Sequence, residues 1–258
     1  MSGRDADEAS SEAVVREAAR AGDLDRYLAA LLAPRRARLD LIALTAFLGE
    51  VARIPSAVRE PMMGELRLQW WRDALESARA GAVTGSPVVD ALGRTMARHN
   101  LPLELLLAPI DARARDLDPQ QPVAILSDVS DYIAATEGAA FRLSARILGV
   151  DETPAVGDLL AAAAQAYGRA RLARSPRQTG DSRGAALRQG ARVWLAEARR
   201  LAPAGPVAVL PAILPAALVE PYLAALEGSG PDITKERADT SPLMRVWRLW
   251  WAKARRRI

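Results

Sequence analysis

The chain is predicted to be all-α, on three observations. Hydrophobic residues fill 50% of the 258 positions, yet aromatics are few: six Trp, four Tyr and two Phe. No stretch alternates apolar with polar residues over several positions, so the period-2 mark of a half-buried strand is missing. Proline, glycine and capping residues instead divide the chain at helix lengths, with apolar residues at i, i+3 and i+4 between them.

Taken in order, the first twelve residues, MSGRDADEASSE, are acidic and lack the basic and apolar regions of a signal peptide. Residues 1–22 therefore read as a partly disordered, solvated tail and a first short helix. Asp23 can cap a helix that stops at Pro34, and a long helix over 36–54 stops at Pro55. Within it Leu39, Ile42, Ala43, Ala46, Phe47 and Val51 hold the helical period while Leu41, Leu44 and Leu48 fill much of the rest, which predicts burial on most sides. Pro61 opens a helix that ends before Gly81; another starts with Ser86 as N-cap and Pro87 as N1, running to His99 with Asn100 as its C-cap. Pro102 opens a helix to about 117, and further helices cover 123–148, 154–174 and 181–201. A proline-punctuated pair over 206–226 precedes a last helix over 241–257 that begins Ser-Pro.

Linkers at 81–86, 175–180 and 228–240 are too short to argue separate domains, so residues 23–258 are expected to form one. The longest apolar run, 206–219, is interrupted by Pro206, Pro211 and Pro215 and falls short of the ~20 residues of a span. A cytoplasmic location is the expectation. With no Cys and a single His, thiol nucleophiles, disulfides, thiolate zinc sites and His-rich metal sites are closed. The net charge is +4, and of the 35 Lys and Arg only Lys235 and Lys253 are lysines.

Residues 46–76, AFLGEVARIPSAVREPMMGELRLQWWRDALE, and 132–149, YIAATEGAAFRLSARILG, carry a more specific signal. Ala46-Phe47 with Glu50 and Ile54, then Glu60-Pro61, Gly64 and the run from Arg67 to Trp71, followed by Tyr132-x3-Thr136-Glu137-Gly138, together resemble the squalene/phytoene synthase family. They are most similar to its branch of mitochondrial complex I assembly factor and bacterial relatives. That resemblance implies a single isoprenoid-synthase-like (terpenoid synthase) bundle. Active members condense two prenyl diphosphates head to head, using magnesium held by two acidic motifs to neutralise the departing diphosphate.

Neither acidic motif is present. The first would fall on residues 52–56, where Ala52, Arg53 and Ser56 stand in place of aspartates; the second would fall within 167–176, YGRARLARSP, which holds no acid. Arg183-Gly184 keeps two residues of a downstream Arg-Gly-Arg, but Ala185 replaces the last. No catalytic residue and no metal is therefore expected, with magnesium as cofactor only if an enzyme reading holds. By the same resemblance, a retained ligand site would involve Phe47, Glu50, Arg53, Tyr132, Glu137, Gly138, Tyr167 and Arg171.

Other groups read first as structure. Asp128 and Asp131 suit a helix first turn better than a shared metal. Buried Glu50 and Glu137 would take partners from Arg53, Arg67 or Arg142. His99 sits at a helix C-terminus. Nine arginines between 168 and 200 form the most basic stretch, read as a solvated face, with a vestigial diphosphate site as the alternative; no nucleic-acid motif accompanies them. In the last helix Leu243, Val246, Trp247, Trp250 and Ala254 share a face, with Arg245, Arg248, Lys253, Arg255, Arg256 and Arg257 as cations. Trp247, Trp250 and Trp251 with Arg255, Arg256 and Arg257 either meet an anionic membrane or acidic partner, or pack on the bundle.

The reading these features support is a non-catalytic assembly or chaperone-like factor for a membrane respiratory complex. Its partners would be a complex subunit or assembly protein, and its place the cytoplasm, peripheral at the inner face of the membrane. The alternatives are a prenyl-diphosphate transferase with a non-standard site, and a carrier of an isoprenoid or other apolar ligand.

Overall fold

Leucine on three sides of one helix leaves that helix no solvent face, and α3 (Arg35–Ala57) is indeed buried almost all round from Asp40 to Gly49. The structure, a computed structural model, describes residues 3–118, 129–174, 181–228 and 240–258. Among these there is helix and no strand. The chain forms two compact units, residues 1–123 and 124–258.

In the first unit α1 (Gly3–Gly22), α2 (Leu24–Leu32), α4 (Pro61–Arg79), α5 (Pro87–His99) and α6 (Leu103–Arg115) gather around α3. The first helix, α1, runs from Gly3 to Gly22 and docks through Val15 and Ala19. Its end meets α3 backbone to backbone, since a Cβ on Gly49 would lie 2.7 Å from Gly22 Cα. Asp23 caps α2 as expected, accepting from Arg26 N at 3.1 Å, and Asn100 ends α5 in the left-handed region at φ 47°. Ser86 sits at the start of α5 without capping it. Asp90, one turn on, instead accepts from Thr84 N at 2.8 Å and Gly85 N at 3.2 Å. Pro55 does not stop α3, which continues to Ala57. A proline in the last turn removes one N–H donor without preventing the residues before it from staying helical.

A polar hub joins α3 to α5. Buried Asp40 accepts from Arg98 Nη1 at 2.7 and 2.9 Å and from Thr95 Oγ1 at 3.1 Å, and His99 Nε2 lies 2.8 Å away. Burial pushes the Asp40 carboxyl up, but these hydrogen bonds and the Arg98 charge outweigh it and hold the group below its ordinary value. His99 is thus structural through its side chain as well as its place at a helix end.

In the second unit α9 (Pro154–Ala173) is central, with α10 (Asp181–Leu201) along it. Thr153 caps α9, accepting from Val156 N. The helix expected over 123–148 is composite. α7 (Val129–Ile133) passes through a π turn, Ala134–Gly138, into α8 (Ala139–Ile147), and Ala139 N donates to Ala134 O five residues back. Residues 123–128, with Asp128, lie outside the described residues. Gly168 lets α9 close on α7: a Cβ there would lie 2.7 Å from Ile133 Cγ2.

Residues 207–228 mix 3₁₀ turns with α11 (Leu210–Ile213) and α12 (Val219–Gly228), as their prolines require. Counted past those prolines, Val207–Gly228 is long and apolar enough to cross a membrane, longer than the run the prolines delimit. Here it packs on α8, α9 and α10, and Leu214–Val219, Tyr222 and Leu223 are core residues. The last helix, α13 (Pro242–Arg255), is capped by Ser241, which accepts from Met244 N, and rests on Leu214–Leu218.

Candidate functional site

Nearly three turns of α3 beyond the Asp40 hub, Glu50, Arg53, Ile54 and Ala57 fall at i, i+3, i+4 and i+7, a single helix face. On α4, Arg67, Trp70 and Trp71 repeat the same spacing. These two stripes line a hollow of about 470 Å³ in the first unit. Phe47, fully buried, presents its edge to Trp71 with ring centroids 5.1 Å apart, and Trp71 meets Trp70 at 5.1 Å. Burial pushes the Glu50 carboxyl above its ordinary value, and the Arg53 charge only partly offsets this. The hollow therefore combines an indole wall with two exposed guanidiniums and one carboxylate reluctant to ionise. That chemistry suits an amphipathic or anionic group. Of the expected residues Glu50 and Arg53 line it, while Phe47 stands behind Trp71; Ile54, Ala57, Arg67, Trp70 and Trp71 were not anticipated as lining, although their helical spacing marks them.

In the second unit the π turn carries Glu137 and Gly138. Thr136, Glu137 and Gly138 of this turn are all buried, and Thr136 Oγ1 donates to Tyr132 O at 2.8 Å. Glu137, 6% exposed, pairs with Arg171 at 3.4 Å, not with Arg142, which bonds Glu152 instead. Arg171 also lies over the Tyr167 ring at 5.6 Å, and Tyr167 stacks on Phe141 at 6.1 Å. Glu137, Arg171 and Tyr167 are thus linked side chain to side chain, while Tyr132 and Gly138 are placed near Glu137 along the same chain segment.

The basic stretch is largely consumed inside its own unit. Arg169 donates to Gln165 Oε1 and to Ser130 Oγ at 2.9 Å; its burial lowers its pKa. Arg174 stacks over Tyr222 at 3.9 Å, Arg192 pairs with Glu227 at 2.7 Å, and Arg200 pairs with Glu197 at 2.6 Å. Arg177 lies outside the described residues.

Magnesium requires several oxygen ligands, usually carboxylates with the substrate's phosphates. The end of α3 offers Ala52, Arg53 and Ser56, whose Oγ donates to Arg53 O at 3.0 Å. The end of α9 offers Arg169, Arg171 and Arg174, and the acid beside it, Glu137, is already matched by Arg171. Among the described residues no three Asp, Glu or His side chains could hold a metal ion. The donor set does not fit a magnesium–diphosphate site.

On α13 the expected tryptophans are not packed inward. Trp247 and Trp250 are 54% and 53% exposed, and Trp251 is half-buried. Trp251 stacks on Trp247 at 5.8 Å and carries the Arg255 guanidinium over its ring at 4.0 Å.

The family model described as squalene/phytoene synthase matches residues 19–184. The NADH dehydrogenase (ubiquinone) complex I assembly factor 6 of Mus musculus is 30% identical over 136 residues, which is 53% of this chain and 40% of that protein. The Homo sapiens protein of the same name is 29% identical over the same length. The match thus spans about 40% of these relatives' length. Among solved structures, squalene synthase HpnC from Alicyclobacillus acidocaldarius superposes with a TM-score of 0.71 at 22% identity, covering 87% of this chain and 96% of its own. A dehydrosqualene synthase in complex with ligand gives 0.77 at 14% identity, covering 96% and 97%. Both share the all-α terpenoid synthase fold.

Proposed function

Since the chain belongs to the squalene/phytoene synthase family but carries cations where that chemistry needs acids, we propose that it is a non-catalytic assembly or chaperone-like factor for a membrane respiratory complex. The observation that carries this reading is the pair of helix ends: Ala52, Arg53 and Ser56 on α3, and Arg169, Arg171 and Arg174 on α9. A diphosphate could bind such arginines, but its ionisation calls for a metal that they repel. The relatives named as complex I assembly factors supply the direction of the proposal. The hollow between α3 and α4 is the docking point it assigns, and the working place is the cytoplasm beside the inner face of the membrane.

The test is recovery of partners. Tagged protein, crosslinked in its own host, should bring down subunits or assembly intermediates of complex I, and a host lacking it should show less assembled complex on a native gel. Magnesium-dependent release of diphosphate from farnesyl or geranylgeranyl diphosphate, abolished by chelator, would overturn the reading in favour of a transferase. Co-purification of an isoprenoid without any protein partner would favour the carrier.

A further inference from the structure

The outward face of α13 is apolar and its end is cationic, and we propose that this surface docks on an anionic lipid bilayer. The proposal is independent of the assembly role.

Leu249 and Ala252 bury one side of the helix in the second unit. Buried Arg245 donates through Nε to Thr240 O at 3.1 Å, and Arg248 Nε donates to Ala217 O at 3.2 Å. At 100° per residue the opposite arc holds Leu243, Val246, Trp247 and Trp250. Leu243 is 81% exposed, Val246 47%, and Met244 at the arc's edge 45%. A soluble bundle places such a face inward. Here the helix is anchored by its other side, so the apolar arc is available to a second medium.

Charge selects that medium. From 240 to 258 the chain has no acid, and Arg255, Arg256 and Arg257 are exposed. Together with Arg199, Ala202, Pro203 and Ile258 they line a hollow of about 570 Å³ beside the helix end. Arg199 is partly committed, donating to Ile258 O at 2.8 Å and lying 3.5 Å from Glu220. The remaining guanidiniums suit phosphate oxygens, which they bind with a planar fork of donors. Indoles above and arginines at one end match the headgroup region, where amphipathic rings and cations both find partners. An acidic protein would satisfy the arginines but not a continuous apolar arc ending in stacked indoles.

The full chain should float with phosphatidylcholine vesicles containing phosphatidylglycerol and not with phosphatidylcholine alone. Binding should fall as the Debye length shrinks from about 10 Å at 0.1 M salt to about 3 Å at 1 M. Each cation near an anionic leaflet strengthens partitioning roughly fivefold, so Arg255→Gln with Arg256→Gln and Arg257→Gln should weaken it on the order of a hundredfold. The melting temperature of that variant should match the parent's, because exposed charges contribute little to stability. Independently, tryptophan emission of the parent should be quenched by brominated lipid, and Trp247→Ser with Trp250→Ser should remove most of that quenching. Equal flotation of parent and triple-Gln variant, or no flotation with anionic vesicles, would overturn the proposal.

Discussion

Two carboxylates of α3 are pushed in opposite directions by their surroundings. Asp40 is held below its ordinary value of 3.8 by His99, Arg98 and Thr95 despite burial. A lowered folded-state pKa means stability that is fully present above the unfolded value and lost as pH falls through the folded one. Asp40→Asn should cost about 1.5 to 3 kcal/mol at neutral pH, the range for hydrogen bonds to a charged group, and should flatten the acid limb of a urea-unfolding series. Glu50 is raised from 4.5 by burial. Its contribution therefore has the reverse sign: stabilising below the unfolded value and lost as pH rises through the folded one. Glu50→Gln should stabilise the protein at pH 7 by under about 1 kcal/mol, a figure reduced by partial exposure, and the gain should vanish in acid.

Helices in this molecule approach as closely as their smallest residues allow, so glycines at crossings and glycines in open positions should respond oppositely to the same substitution. At the crossing of α1 and α3, Gly49→Ala would put a Cβ 2.7 Å from Gly22 Cα, backbone that cannot rotate away. Overpacking of this kind costs roughly 1 to 3 kcal/mol, against about 1 kcal/mol gained from helix propensity, so a net loss near 1 kcal/mol is expected. At Gly157 in α9 an added methyl would meet nothing within 4 Å. Gly157→Ala should raise stability by up to about 1 kcal/mol. Thermal melts of the two variants side by side check both signs.

At the scale of the whole chain, the squalene/phytoene synthase family's all-α fold carries Ala52, Arg53 and Ser56 at the end of α3 and Arg169, Arg171 and Arg174 at the end of α9. Purified protein with farnesyl or geranylgeranyl diphosphate and magnesium should release no diphosphate above background, with or without chelator. The hollow of the first unit supplies the complementary test. Arg53→Ala with Arg67→Ala removes two exposed charges, a change expected to alter stability by no more than about 0.5 kcal/mol. If that hollow is the docking point, the variant should fold normally and fail to restore complex I assembly in a host lacking the protein.

Local physics made much of this legible in advance. Helix order, the caps at Asp23, Asn100 and Ser241, and the all-round burial of α3 follow from residue spacing and backbone chemistry within a few positions. That residues 52–56 and 167–176 carry no carboxylate was equally readable, because side-chain identity needs no coordinates. Decisions between elements were not. Periodicity shows that α13 has an apolar arc, but only packing against Leu214–Leu218 determines that Leu249 and Ala252 are covered and Trp247 and Trp250 are not. Glu137, in the π turn, takes Arg171 of α9 rather than Arg142, a pairing between elements that the spacing of residues along one helix does not reveal. The arginines of α9 and α10 could equally have formed a solvated face. Their use in bonds to Ser130, Tyr222, Glu227 and Glu137 depends on residues 34 to 48 positions away in sequence, brought close only by the fold.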